Sequence, residues 1–533
     1  MIMAKFSKTN VKTDTKTVNL AGGEAYSQSA DLELVSILLT SFVEDTFYEK
    51  ASNVVDRLRN VIQRVDPIFA AKAAVYARKE FGMRSITHVL ASELAKRLSG
   101  ESWAKNFYKS IVNRPDDMVE TIAFYFSQKN KSLSKAMQKG FAEAFGKFDA
   151  YQLAKYKMEN KEISLVDVVN LVHPIPTEKN GLVEVGKAEY ISLLEAKLKS
   201  LNKNAKKNAA KITKVNEILV PVKAQKEESV KLPALDALVA GLLKNTETTE
   251  AKMTKAGQTA SNETEKAQLK ASVWAEQLNS GKMPYFNLLR NLRNIIEQAP
   301  AEVTKACELL TNERSIKNSK VLPFRFDTAM KEIEALNSSK ETRQVVLALN
   351  KAIDISCSNV PNFDGDTLVV LDVSGSMRGK PIQIGSLFSA ILVKANIGAD
   401  FMTFDGSARY VNVNPADSVL TIARGINTPG GTTDFKVIFR VAKKAYNRII
   451  ILSDMQGWEG YHSPKEDFKQ YKSKFNCNPY IYSFDLNGHG TMQFPESQVC
   501  AIAGWSEKVF DIMEMLEQDK KALVNTIKNY IEF

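Results

Sequence analysis

Apolar residues recur at three- and four-residue spacing over most of the chain up to about residue 298, the pattern of helices that bury one face. The spacing predicts helices over 30–48, 51–65, 67–81, 85–98, 102–114, 116–127, 132–145, 149–158 and 164–173. Asp66-Pro67, Arg114-Pro115 and Asp149 provide start and stop signals between them. No fixed-period repeat is present. Helices of similar length joined by short links nevertheless predict stacked helical hairpins, as in an α-solenoid. Strands are not expected before Thr367.

His173-Pro-Ile-Pro176 interrupts this pattern. Lys197 to Lys214 then holds seven lysines and no acid, and Lys199, Lys203, Lys207, Lys211 and Lys214 fall at helical spacing, predicting one basic stripe. Thr246–Lys266 is rich in Thr, Glu, Ala and Lys and reads as an exposed helix or a mobile insertion. Core-like helix returns at Trp274–Leu278 and 284–297. After a break at Leu322-Pro-Phe-Arg-Phe326 it resumes at 327–336 and 343–356, and Asn359–Asp366 has the composition of a linker.

From Thr367 the period changes. Strands predicted at 367–372, 400–404, 408–413, 448–453, 479–484 and 508–511 alternate with helices at 382–395, 417–424, 434–446 and 465–474, and a helix closes the chain. That order predicts a doubly wound, Rossmann-like and mostly parallel sheet covered by helices. A hairpin at Asp405-Gly406-Ser407 adds one antiparallel edge strand.

The first of these strands carries the clearest chemistry. Thr367-Leu-Val-Val-Leu-Asp372 is a short apolar run ending in an acid, followed by Ser374 and Ser376. Open α/β sheets place ligands at the carboxyl ends of their strands, and these three residues offer hard oxygens on one side. Pro429-Gly-Gly-Thr-Thr-Asp434 brings the Thr432 hydroxyl close to backbone, and Arg448–Asp454 is a second buried run ending in an acid. Two carboxylates and three hydroxyls suit Mg²⁺ first, or Mn²⁺ or Ca²⁺, rather than Zn²⁺. Such a set leaves a coordination position open for a partner's carboxylate or phosphate.

Composition narrows the class. With 533 residues, 44% hydrophobic and 25% charged, the chain reads as a multidomain globular protein. No apolar run approaches the ~20 residues of a membrane span. Met1–Thr17 is polar and Lys/Thr-rich, unlike a secretory signal, and is expected to be a loose arm. Four cysteines without a C-x-x-C pair read as reduced thiols of a cytoplasmic protein. Charge is uneven: residues 364–533 hold 18 Lys+Arg against 19 Asp+Glu, so the formal net charge of +11 comes from the residues before them. That asymmetry favours an anionic partner, nucleic acid first, for the helical part.

The Asp-x-Ser-x-Ser, Gly-Gly-Thr and strand-terminal Asp series resembles the metal-ion-dependent adhesion site of von Willebrand factor A domains. A basic helical region placed before it resembles the Ro autoantigen family, whose TROVE module is a ring of HEAT-like helical repeats. The resemblance is carried by Asn19–Tyr26, Lys155-Tyr156-Lys157, Asp167–His173, Leu288–Leu292, Leu322–Arg325 and the metal motif, and the bacterial members are the nearest in kind. It implies an arm over 1–17, a TROVE module over 18–360 and an A domain over 364–533. It also implies a non-catalytic scaffold, monomeric within a ribonucleoprotein, that binds small noncoding Y-type RNA and the ends of misfolded RNA. A 3′ exoribonuclease, polynucleotide phosphorylase, is the implied protein partner. His173 stands where the family has an RNA-contacting histidine, Lys155 and Lys157 match basic positions before it, and Lys135 and Lys139 fall on a helix that faces RNA. Met158-Glu-Asn-Lys161 departs from the family pattern. The lysines at 199, 203 and 207 are a further candidate RNA contact, read from their charge alone. His88, His462 and His489 show no ligand spacing. A metal-dependent protein-adhesion or co-chaperone subunit is the competing reading.

Overall fold

The two most apolar runs of the C-terminal region become the centre of a sheet. Strands β5 (Thr367–Asp372) and β8 (Arg448–Ser453) are buried at every position, as expected of parallel strands covered on both faces. The computed structural model describes residues 16–40, 51–159, 161–244, 249–281, 283–319, 323–357, 363–414, 416–458, 464–487, 489, 491–495, 499–503, 513 and 522–533. Most of the expected N-terminal arm, the first half of the 359–366 linker and the strand expected at 508–511 lie outside these residues.

Eleven strands are present among the described residues. They are β1 (Lys16–Val18), β2 (Glu24–Ser27), β3 (Leu182–Gly186), β4 (Ser229–Pro233), β5, β6 (Asp400–Phe404), β7 (Ala408–Tyr410), β8, β9 (Tyr480–Asp485), β10 (Thr491–Met492) and β11 (Cys500–Ala503). Six form one sheet in the order β11-β9-β8-β5-β6-β7. All its pairings are parallel except β6 with β7, the predicted antiparallel edge hairpin. The chain steps from β5 to β6 on one side and then returns to β8 on the other. The crevice between the carboxyl ends of β5 and β8 is therefore the switch point, where such sheets bind ligands.

Packing divides the chain into two compact units, 1–87 with 262–532, and 88–261 with Phe533. In the first, the aromatic side of the sheet core gathers Phe404, Phe435, Phe439, Phe468 and Phe494, and Leu32 from the helix Ala30–Thr40 joins it. Ser36 of that helix donates to the buried Asp485 carboxylate at the end of β9 (3.0 Å). Strand β2 lies between β1 and β10 in a separate three-stranded sheet.

The second unit is helical apart from β3 and β4. Ser134, Asp149 and Ser164 cap the helices Lys135–Ala144, Ala150–Lys155 and Leu165–Val172, as side chains short enough to accept a first-turn N–H should. Helices Ala104–Ile111 and Lys135–Ala144 meet at Gly140, where a β-carbon would stand 2.5 Å from the Lys105 carbonyl.

Several expectations are corrected. Four short strands precede Thr367, and β10 and β11 add two later ones outside the prediction. The lysine run is not one stripe, because the helix ends at Asn202 and a new one starts at Ala205. The two antiparallel helices pack Tyr190, Leu194, Leu198 and Leu201 against Val215 and Leu219, which one straight helix could not bury together. The helix expected at 327–336 begins earlier, at Pro323, which suits the first turn of a helix. Within Thr246–Lys266, by contrast, Thr249–Thr259 is helical, in keeping with the helix reading of that segment, and a second helix, Glu263–Asn279, starts at its end.

Candidate functional site

Asp372 leaves β5 fully buried, and its carboxylate accepts from the Ser374 N–H (2.9 Å) and the Ser453 hydroxyl (2.6 Å). The hydroxyls of Ser374 and Ser376 stand 3.3 Å apart, also buried. The glycine loop docks on this turn: Gly375 donates to the Gly431 carbonyl (2.9 Å) and Gly430 to the Val373 carbonyl (3.0 Å). Thr432, next in the chain and half-buried, is thereby carried to the same place. Asp454 leaves β8 fully buried, with the Ser376 hydroxyl near its carboxylate.

The electrostatics of this group are those of an anion pair short of a cation. Burial, then the neighbouring Asp454 charge, pushes the Asp372 carboxyl up to about 7. Burial also raises Asp454, opposed mainly by the nearby His489 imidazole. Asp454 Oδ2 has no hydrogen-bond partner although it is buried. Leaving a buried carboxylate oxygen unpaired is costly, and a divalent cation would satisfy it. Asp372, Ser374, Ser376, Thr432 and Asp454 are by chemistry the oxygen donors that a hard cation takes. Among the described residues no cluster of three or more His, Cys, Asp and Glu side chains is arranged to hold a metal, so these two carboxylates depend on hydroxyl donors.

Three contributors escaped the sequence. Ser453 orients Asp372 from the neighbouring strand. His489, read as incidental, is buried beside Asp454. Asp405 follows β6 next to Gly431, but its charge is matched by Arg409 at 3.3 Å. Met455, directly after Asp454, holds a left-handed φ of 59° while fully buried, an unfavourable conformation for a residue with a side chain. The Gln493 amide fixes it by donating to the Met455 carbonyl (2.8 Å). His88 pairs with Asp117 (3.0 Å) in the interior of the helical unit, and His462 lies outside the described residues.

The cationic candidates occupy two places in the helical unit. Lys135 and Lys139 are exposed on one helix. Gln138 between them donates to the Leu171 carbonyl (3.0 Å), tying that helix to the end of Leu165–Val172. His173 terminates the latter with φ 51° and an exposed ring; Pro174 behind it disfavours further helix. Lys155 lies 5.8 Å from the rings of both Tyr151 and Tyr156, and Arg114 stacks on Tyr156 at 4.5 Å. Lys157 is different: only 16% of its side chain is exposed, and it pairs with Glu159 of the divergent segment (3.5 Å).

The second place is a helical hairpin closed at its base by β3 and β4, which pair antiparallel from Leu182↔Pro233 to Gly186↔Ser229. Lys199, Lys203 and Lys207 surround its tip with Lys197, Lys206, Lys211 and Lys214, and all seven are exposed. The nearest acids along the chain are Glu195, paired with Lys223 at 2.6 Å, and Glu217.

A helical-repeat region joined to a doubly wound α/β domain is the class these features define. A family model described as the TROVE domain matches residues 36–363, more than half of the chain, and the protein belongs to that family. Telomerase protein component 1 of Mus musculus is 25% identical over 346 residues, covering 59% of this chain and 13% of its own. The protein of that name from Rattus norvegicus is 24% identical over 357 residues, with the same coverage. The chain thus spans about 13% of the length of these curated relatives. The crystal structure of the Deinococcus radiodurans RO (RSR) protein superposes with a TM-score of 0.54 at 15% identity, covering 94% of this chain and 100% of that one, a likeness of fold. No described helix is long and apolar enough to cross a membrane.

Proposed function

We propose that the protein is a Ro-type RNA-binding scaffold. In this reading residues 18–360 hold structured RNA, and residues 364–533 hold a divalent cation, Mg²⁺ first, that awaits an anionic group of another molecule. The carrying observation is the hairpin tip, where seven exposed lysines meet no acid between residues 197 and 214. Lysines so placed neutralise phosphates and release counterions, which gives affinity without reading sequence. Lys135, Lys139, Lys155 and His173 add a second cationic and aromatic surface, on which exposed Tyr151 offers a stacking face for an unpaired base. Lys157, held by Glu159, contributes least. Sequence-tolerant affinity of this kind suits small noncoding RNA and the ends of misfolded RNA, with an exoribonuclease such as polynucleotide phosphorylase acting on what the scaffold presents. The cation site enters this role as an attachment point and performs no chemical step.

The test is the salt dependence of binding to a structured RNA with a single-stranded 3′ end. Lys203→Glu with Lys207→Glu is expected to weaken binding and to lower the slope of log K against log salt by about 0.7–0.9 for each phosphate no longer neutralised. A slope and affinity equal to those of the unaltered protein would remove the hairpin from the interface. Failure of the unaltered protein to bind RNA more tightly than a lysine-matched control would favour the protein-adhesion reading.

A further inference from the structure

The loop that follows Asp454 is held from outside the α/β domain, by a turn at residues 19–23. Asn19 is 5% exposed, and its side-chain amide donates to the Gly457 carbonyl across 438 residues of sequence (2.5 Å). Its Oδ1 accepts from the backbone N–H groups of Ala21 and Gly23, which fixes the turn. The Leu20 N–H donates to Gln456 Oε1 (2.8 Å). Gln456 is fully buried; its backbone N–H reaches Asp454 Oδ1 (3.3 Å), and its side-chain amide reaches the Asp454 carbonyl and the Thr491 hydroxyl (3.2 Å each). Gly23 lies so close that a β-carbon there would stand 2.1 Å from the Gly457 oxygen. Strand β2 then pairs with β10, which contains that same Thr491.

We infer that residues 16–27 are a latch whose seating positions Asp454 for the cation, with Asn19 and Gln456 as positioning residues. The inference rests on the cation-site reading above. Gln456 is the joint. One face of it holds Asp454 through backbone and carbonyl contacts, and the other accepts from the N-terminal turn. Withdrawal of the turn leaves the Gly457 carbonyl and Gln456 Oε1 without these donors in a buried place, so the loop has to rearrange and Asp454 moves with it. Coupling of this sort is reciprocal: whatever factor the seated latch adds to cation affinity, a bound cation adds to the seating equilibrium. The site can thereby report to the N-terminal segment whether it is filled.

Two measurements test this on the full chain, with Mn²⁺ as the probe. Mn²⁺ is expected to slow amide hydrogen exchange across residues 18–26 of the unaltered protein by about five- to tenfold. Asn19→Ala and, from a different direction, Gly23→Ala are each expected to lower Mn²⁺ affinity, measured by calorimetry, by a similar factor. Unchanged exchange at 18–26 on saturation would overturn the latch. So would Asn19→Ala or Gly23→Ala speeding that exchange while Mn²⁺ affinity stays within about twofold. In both cases Mn²⁺ binding that depends on Asp372 leaves the cation site standing. Absence of Mn²⁺ binding in the unaltered protein would overturn the site and the latch together.

Discussion

Two carboxylates with no solvent exposure, one of them with an unpaired oxygen, dominate the chemistry at the residue scale. Without a cation each is a liability, since burial and mutual repulsion oppose ionisation of both. Asp454→Asn should therefore raise the melting temperature of the protein in EDTA. The same variant should lose the rise that Mg²⁺ gives the unaltered protein, about 2.7 kcal/mol when free Mg²⁺ is a hundred times its dissociation constant. Thermal melts with and without Mg²⁺ check both signs, and an equal Mg²⁺ response in the two proteins would put the cation elsewhere. Asp372, Ser374, Ser376 and Asp454 were legible in the sequence because apolar strands run directly into them. Ser453 and Asn19 were not, since they act through partners 81 and 438 residues away, a pairing that no local pattern encodes.

Elements were legible where one face is apolar over several turns, and obscure where they are short or paired at a distance. Leu182–Gly186 and Ser229–Pro233 alternate in the manner of strands, but each is five residues long and finds its partner only across the hairpin it closes. The lysine spacing read through Asn202–Asn204 as if the helix continued, because the turn is dictated by apolar positions on the opposite face. Capping was more readable at Asp149, a start signal in the sequence that caps Ala150–Lys155. Ser164 and Asp167 form a reciprocal cap at the start of the helix that ends in His173. Bonds from the Ser164 hydroxyl and N–H hold the Asp167 carboxyl below its ordinary value. A depressed folded-state pKa means stabilisation that is present above the unfolded-state value and lost as pH falls through the folded one. Asp167→Asn should thus destabilise the protein by about 0.5–1 kcal/mol at pH 7. The gap from the unaltered protein should close below about pH 4. Melts across that range decide it; a gap independent of pH would assign the cap to Ser164 alone.

For the molecule as a whole, the two proposed tasks fall to stretches of different charge. The near-neutral stretch 364–533 contains every candidate cation ligand, while the basic excess lies in the residues before it, with the candidate RNA contacts. Phosphate binding by lysines is a sum of many screened contacts, and it weakens with salt in proportion to their number. Cation binding at a buried pair of acids is a single, desolvated contact with little such dependence. The two should respond to different substitutions. Asp372→Ala is expected to abolish Mn²⁺ binding while leaving affinity for a structured RNA within about twofold and its salt slope unchanged. Lys135→Glu with Lys139→Glu is expected to do the reverse, lowering RNA affinity and slope with Mn²⁺ affinity intact. Calorimetry with Mn²⁺ and RNA titrations over a range of salt, made on both variants, measure all four quantities. A large loss of RNA affinity in Asp372→Ala would mean that the cation itself supports the RNA surface, and the separation of tasks by charge would then be wrong.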